Sequence, residues 1–310
     1  MSKVVVVGSY VVDLMSRTPH LPKPGETVLG GPFKMGPGGK GGNQATAAAR
    51  CGSEVTFVTK LGEDVFGREA LSHFQAENVN TEFIKVDPSQ ATGAALIAVD
   101  DKSENSIVVA LGACGTITEA EVLEAEEKVK DADIVLLQLE TSIESVVTTV
   151  KLAWKHQVPV ILNPAPYQEF PREILRGVDF ITPNETEAFE LSGVEVVDEG
   201  TALAAAKKIH EMGVGTVIIT LGSKGAFLYT GGEKGELVPG FKVEAVDTTG
   251  AGDAFNGGFA HALSSGSSVR EAMTFSHAVA ALSVTKIGTA PAMPYKHEVE
   301  NFLAHLGTVK

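Results

Sequence analysis

Short runs of consecutive apolar residues, separated by stretches with helical spacing, set the rhythm of this chain. Val4 to Val7 forms the first run and reads as a buried strand. From about Ile134 the alternation becomes regular. Ile134-Val-Leu-Leu-Gln-Leu-Glu140 predicts a strand and Ser142 to about Lys155 a helix. Val158-Pro-Val-Ile-Leu-Asn163 and Phe180-Ile-Thr-Pro183 predict two more strands. Ala202 to Met212 predicts a helix and Thr216-Val-Ile-Ile-Thr-Leu221 a further strand. Strands that are apolar throughout are covered on both faces, and helices between them make βαβ units. The expected class is α/β: a three-layer α/β/α sandwich around a mainly parallel central sheet.

Two segments break this rhythm. Residues from about Leu14 to Met35 are rich in Pro and Gly and lack a helical period. Residues from about Thr92 to Gly112 alternate, with Ala94, Leu96 and Ala98 followed by Ser106-Ile-Val-Val-Ala110. Both predict antiparallel strands and turns. Together they form a small β-sheet, either a lid over the carboxyl edge of the central sheet or an edge extension. With no internal repeat, residues 1–310 are expected to form a single domain.

The chain has a formal net charge of −14 and no block of Lys and Arg. Nucleic-acid binding needs clustered cations against phosphates, so that class is set aside. The run at Val4 to Val7 is too short for a signal-peptide core or a membrane span, and a cytoplasmic location without membrane partners is expected. Cys51 and Cys114 are too few for a disulfide framework and stand in no zinc-binding spacing. The acidic stretch from Glu119 to Glu127 reads as a solvated helix face, and Trp154 as a helix packing residue.

The strongest chemical signal lies at Val246-Asp247-Thr-Thr-Gly250-Ala-Gly252-Asp253-Ala-Phe255. Glycines just before a helix N-terminus leave backbone N–H groups free and aimed, with the positive dipole end, at an anion. Such a hole stabilises a phosphoryl group in transfer. Asp253 opens the helix in this reading. An aspartate there is ordinarily an N-cap, and beside an anion hole it is also placed as a general base. No GxxxxGK[ST] loop occurs.

A second glycine cluster, Gly36-Pro-Gly38-Gly39-Lys40-Gly41-Gly42-Asn43-Gln44, enters a helix of small residues. Lys40 and Asn43 are candidate donors to a polyhydroxylated ligand. Asp13 follows the first strand, where parallel sheets bind ligands. Asn184 and Glu187 fit a capping box, and also a sparse Mg²⁺ site that works through water. Thr220-Leu-Gly222-Ser223-Lys-Gly225 is a turn placed to lie along a nucleotide. The histidines show no metal spacing.

Taken in order, GGKGGNQ at 38–44, NPAP at 163–166, PNETE at 183–187, TLGSKG at 220–225 and DTTGAGDAF at 247–255 resemble the ribokinase (PfkB-type) sugar kinases. The resemblance runs along essentially the whole chain and is greatest to the ribokinase and deoxyribokinase branch. It implies transfer of the ATP γ-phosphate to the 5-hydroxyl of a pentose. D-ribose is the first choice, 2-deoxy-D-ribose the alternative, and an inactive sugar-binding regulator the alternative of another class. It further implies a β-lid that forms a homodimer contact. By position, Asp253 corresponds to the base and Gly250, Ala251 and Gly252 to the anion hole. Asp13, Gly39, Lys40, Asn43 and Glu140 match sugar contacts, with Val11 where many members carry Asn. Asn184 and Glu187 match the Mg²⁺ motif. Thr220, Gly222, Ser223, Gly225 and His277 match the ATP site. Asp247, Thr249, Ser283, Lys286 and Gly288 match a K⁺ site formed mainly by backbone carbonyls. Cys114 and Ala292 depart from the family's Asn and Ser. Val11 and Cys114 bear on the choice of pentose, and Ala292 on the cation.

Overall fold

The computed structural model describes residues 2–102 and 104–307. Its strands, in chain order, are β1 (Lys3–Val7), β2 (Val11–Thr18), β3 (Phe33–Gly38), β4 (Glu54–Gly62), β5 (Ile84–Asp87), β6 (Thr92–Asp100) and β7 (Asn105–Gly112). They continue with β8 (Ile134–Gln138), β9 (Val160–Asn163), β10 (Phe180–Ile181), β11 (Thr216–Thr220), β12 (Gly225–Tyr229) and β13 (Glu236–Pro239). The helices are α1 (Lys40–Arg50), α2 (Val65–Ala76), α3 (Glu119–Leu123), α4 (Glu126–Lys130) and α5 (Ile143–His156). After them come α6 (Glu185–Ser192), α7 (Glu199–Glu211), α8 (Ala251–Ser264), α9 (Val269–Ser283) and α10 (Lys296–Gly307).

Among the described residues, nine strands make the large sheet, in the order β13-β12-β11-β10-β9-β8-β1-β4-β5. From β11 to β5 every pairing is parallel. β12 and β13 add an antiparallel hairpin at one edge. The alternation within one strand shows why helices lie on both faces. Val5 and Val7 of β1 join a core with Val146 and Val150 of α5 and Ala202 and Ala206 of α7. Val4 and Val6 join the opposite core, with Ala45 and Ala48 of α1 and Phe255 and Phe259 of α8. The expected α/β/α sandwich is therefore the fold. Its predicted strands are shorter at their ends; Glu140 lies beyond β8 and Pro183 beyond β10. Trp154, expected to pack, lies on α5 with its ring beside Gly177 but is 58% exposed.

The two irregular segments build a separate four-stranded sheet, β3-β2-β6-β7. β2 pairs antiparallel with β3, and β6 with β7, but the central pair β2 and β6 is parallel. A fully antiparallel sheet was expected. The parallel pair arises because β2 and β6 each come directly from the large sheet and leave it in the same direction. Asp13, expected directly after the first strand, is the third residue of β2, beside Gly36 and Ala95.

The glycine cluster is largely a packing device. Lys40 starts α1, so Gly41 and Gly42 are helical. A Cβ at Gly41 would sit 2.7 Å from both the N and the O of Ser9. Gly39 has φ of 80°, and a Cβ there would sit as close to the Val11 nitrogen. On α8, a Cβ at Gly257 would lie 2.5 Å from the Ala47 Cβ and 2.6 Å from the Gln44 carbonyl. Gly257→Ala must therefore push α8 away from α1. It should destabilise the protein by about 1–3 kcal/mol, read as a lower denaturation midpoint at unchanged m-value; an unchanged midpoint would show that the two helices part freely.

Candidate active site

The parallel strands of the large sheet point their carboxyl ends the same way, and the segments that follow them carry the chemistry. Ser9 follows β1, Glu140 follows β8, Asn163 ends β9, Thr182 to Glu187 follow β10, and Thr220 ends β11. α1 and α8 run over this edge. In such folds the crevice at the carboxyl edge is the ligand site.

Asp253 is 5% exposed and is not the residue that opens α8. Gly250, at φ of 77°, is the N-cap, and Asp253 stands at the third helical position. Both of its oxygens are held from α1: Asn43 Nδ2 donates to Oδ2 at 2.9 Å and Gln44 Nε2 to Oδ1 at 2.9 Å. The Ala251 N–H donates to the Thr248 carbonyl at 3.2 Å, so Ala251 does not supply a free donor as expected. Among the described residues, the N–H groups of Gly250, Gly252 and Asp253 have no hydrogen-bond partner. A Cβ at Gly252 would meet nothing within 4 Å, so the backbone there faces open space. A free helix N-terminus of this kind attracts an anion.

Glu140, 6% exposed, takes hydrogen bonds from Ser9 Oγ at 2.6 Å and the Lys40 N–H at 2.8 Å, both on Oε2. Thr289 Oγ1 lies 3.0 Å from both Asp13 Oδ2 and the Pro37 carbonyl. It thereby joins the small sheet to the loop after α9. Among the described residues Asn43 Oδ1 is buried without a partner, an acceptor that a ligand hydroxyl would satisfy. Val11 is 2% exposed and shares a sheet face with Asp13.

Burial pushes the Asp13 carboxyl up to about 6, helped by the charges of Glu140 and Asp253 and opposed by the Thr289 hydroxyl. Burial likewise raises Glu140 and Glu187 above the usual carboxylate range. Burial works against the charge on Lys40, but the fields of Asp253, Glu140 and Glu187 outweigh it, so its ammonium sits above its ordinary range. One cation thus stands among several carboxylates.

The remaining expected residues fall into two neighbouring groups. Asn184 and Glu187 form a complete capping box: Glu187 N donates to Asn184 Oδ1 at 2.8 Å and Asn184 N to Glu187 Oε2 at 2.9 Å. Asn184 also bridges Thr220. Beyond it, Gly222 and Ser223 are exposed. Gly225 and His277 are buried instead. Gly225 is required by the hairpin, since a Cβ would lie 2.2 Å from the Val238 carbonyl. His277 packs on Phe255 with ring centroids 5.2 Å apart, and burial brings its imidazole down to about 4. In the second group, Asp247 Oδ1 accepts from the Thr249 N–H and Oδ2 from the Gly288 N–H, each at 3.0 Å. Despite partial burial, those bonds hold the Asp247 carboxyl below the usual range. Val246 N and Asp247 N both donate to the Val284 carbonyl, so the 246–249 and 283–288 segments run side by side. The Ser283 hydroxyl is turned back to the Ala280 carbonyl at 2.8 Å, and Lys286 Nζ to Glu298 at 2.8 Å.

A cleft of about 730 Å³ lies between the small sheet and these loops, lined among others by Asp13, Arg17, Lys34, Ile97, Asp247 and Thr289. The sequence reading assigned no role to Ser9, Gln44, Gln138, Asn163, Thr182, Asn256 or Thr289. Gln138 and Asn163 did carry a signal, as polar residues within runs otherwise apolar enough to be fully buried. The Asp13 carboxyl, raised from 3.8 to about 6, takes up its proton more readily folded than unfolded. Its charge therefore costs stability as pH rises through that window, and the full cost is present above it. Asp13→Asn should melt about 1–3 °C above the parent at pH 7.5 without ligand, the gain fading by pH 4. A calorimetric scan with no gain at pH 7.5 would contradict this.

The whole-chain comparisons agree with this geometry. Residues 1–296 match the pfkB family carbohydrate kinase model. A ribokinase of Haemophilus influenzae is 45% identical over 300 residues, covering 97% of this chain and 98% of its own. A deoxyribokinase of Salmonella typhimurium is 38% identical over 302 residues, covering 97% and 98%. The structure of an Arabidopsis thaliana ribokinase complexed with ribose and ATP superposes with a TM-score of 0.90 at 34% identity, covering 98% of this chain and 99% of that one. With the match spanning all but the last residues, and with the buried aspartate standing behind an open helix N-terminus, the chain belongs to the pfkB family of carbohydrate kinases.

Proposed function

We propose that the protein transfers the γ-phosphoryl group of ATP to the 5-hydroxyl of a pentose, D-ribose in the first place. The observation that carries this reading is the pairing of Asp253 with unsatisfied N–H groups in one helical turn. Asp253 takes the proton of the attacking hydroxyl, and the free amides of Gly250, Gly252 and Asp253 receive the charge that develops on the phosphoryl oxygens. Asp13, Lys40, Asn43 and Glu140, with the backbone at Gly39, hold the sugar. Holding both reactants in line supplies much of the acceleration. An intact base and anion hole speak against an inactive sugar-binding regulator.

The nucleotide lies along Asn184, Thr220, Gly222, Ser223 and Gly225, with His277 beneath. Mg²⁺ bound with the ATP phosphates neutralises their charge. Glu187, buried and in the field of Lys40, suits an ion reached through water. The residues present also fit a monovalent cation such as K⁺. Asp247 stays ionised at the seam of two loops, and the backbone of Thr249, Ser283, Lys286 and Gly288 lies alongside it.

The small sheet acts as a lid over the cleft, excluding water from the transfer. Its other face carries a row formed by Met35, Leu14, Leu96 and Val108 in register, and Leu96 and Val108 are 55% and 60% exposed. That row suits a homodimer contact. The reading places the enzyme in the cytoplasm; no helix among the described residues is long and apolar enough to cross a membrane.

A second reading, 2-deoxy-D-ribose as substrate, is favoured by Val11. A hydroxyl facing that apolar side chain goes unpaired, at a cost of about 1–3 kcal/mol. Side-by-side assays of ATP consumption decide. A higher kcat/KM with ribose is expected; a higher value with 2-deoxyribose makes Val11 the selector. Asp253→Asn should lower kcat about 10³-fold or more with the fold intact, since an amide cannot take the proton; retained turnover would remove Asp253 from the role. The KM for ribose should rise as pH falls below about 6, where Asp13 becomes neutral, and a flat KM from pH 7.5 to 5 would show that Asp13 does not bind sugar as a carboxylate.

A further inference from the structure

Gln44 is fully buried and uses every polar hydrogen and its carbonyl. Its Nε2 donates to Asp253 Oδ1 at 2.9 Å and to Asn163 Oδ1 at 3.0 Å, and its Oε1 accepts from Gln138 Nε2 at 2.7 Å. Asn163 Nδ2 donates onward to the Thr182 carbonyl at 3.1 Å. The Thr182 hydroxyl donates to Asn256 Oδ1 at 2.7 Å, and Asn256 Nδ2 to the Gly252 carbonyl at 2.8 Å. The path starts at Asp253 and returns to α8 one residue earlier, at the backbone with the free N–H.

The direction of the bonds in this ring is dictated by groups that only accept: the Asp253 carboxylate and the Thr182 and Gly252 carbonyls. An ionised Asp253 only accepts, so Gln44 must turn its NH₂ toward it. The Gln44 carbonyl must then face Gln138, and Asn163 must present its oxygen to Gln44 and its NH₂ to Thr182. No amide in the ring can flip without setting two acceptors against each other. Among the described residues Gln138 Oε1 is left buried without a partner, a cost accepted to keep its NH₂ on Gln44.

Resting on the assignment of Asp253 as the base, we infer that Gln44 is a positioning residue for the phosphoryl transfer, clamped in turn by Gln138. It fixes the rotation of the Asp253 carboxylate by holding Oδ1. Asn43 holds the other oxygen from the same helix, so the base cannot turn away from an attacking hydroxyl.

The test is the pH dependence of the single-turnover rate of ribose phosphorylation by ATP. Gln44→Met keeps the size of the side chain and removes its donors. It should slow transfer about 10–100-fold per folded molecule and move the acidic limb upward by about 0.5–1 pH unit, with the KM for ribose within about threefold of the parent. Gln138→Met, which touches Gln44 and not Asp253, should produce a smaller shift in the same direction. It also decides the matter if Gln44→Met does not fold. A residue that merely fills the core lowers stability and leaves the limb in place. Parental limbs in the folded variants therefore overturn the inference. Asp253→Asn is measured alongside. If it retains turnover, the base assignment fails and this inference with it; if it is inactive while the Gln44→Met limb stays put, only the positioning role fails.

Discussion

A carboxylate buried in the seam between two helices must be given donors, and much of this site follows from that requirement. Asp253 lies where α8 crosses α1, away from bulk water. Leaving a buried charge without hydrogen bonds costs far more than any single contact returns. The donors come from consecutive residues of α1, Asn43 and Gln44, and they reach only because the helices touch. Gly257 opposite Ala47 and Gln44 makes that approach possible. Gly41, pressed on Ser9, holds the start of α1 against the edge of the sheet. The glycines thus serve the chemistry indirectly, by setting distances between backbones.

The same carboxyl edge gathers charge of one sign. Glu140, Glu187 and Asp253 act on Lys40, Glu140 and Asp253 act on Asp13, and burial raises Asp13, Glu140 and Glu187 above the ordinary carboxylate range. Such an arrangement is uncomfortable without ligands. The hydroxyls of the proposed sugar, which donate, are ligands that would relieve it. Strain of this kind is typical of sites whose groups are tuned for reaction rather than for stability.

The cleft is completed by the small sheet, whose inner face carries Asp13. Thr289, from the loop after α9, lies within hydrogen-bond distance of Asp13 and of the Pro37 carbonyl. One hydroxyl hydrogen serves two acceptors there, so the link between sheet and body is easily exchanged. The neighbouring residue, Gly288, is held by Asp247. The residues that meet Asp247, beside the proposed cation position, and Asp13, proposed to hold the sugar, are therefore neighbours in the chain.

By itself the sequence determined the class of fold and the position of the proposed base. Apolar runs of strand length alternating with helical spacing leave few arrangements other than helices on both faces of a parallel sheet, and Gly250-Ala-Gly252-Asp253 at a helix start is a place where free N–H groups can face an anion. Local pattern was enough because backbone geometry at these places is set by near neighbours in the chain. The tertiary structure alone decided what lies far apart in sequence. It showed that Asp13 belongs to the small sheet, that β2 and β6 run parallel, and that the Ala251 N–H is taken by Thr248. It also closed the ring from Asp253 through Gln44, Asn163, Thr182 and Asn256 to Gly252, with Gln138 as its clamp. Each of these amides and hydroxyls is unremarkable in its own stretch of chain. Only burial forces such groups to find partners, and burial is a property of the packed molecule.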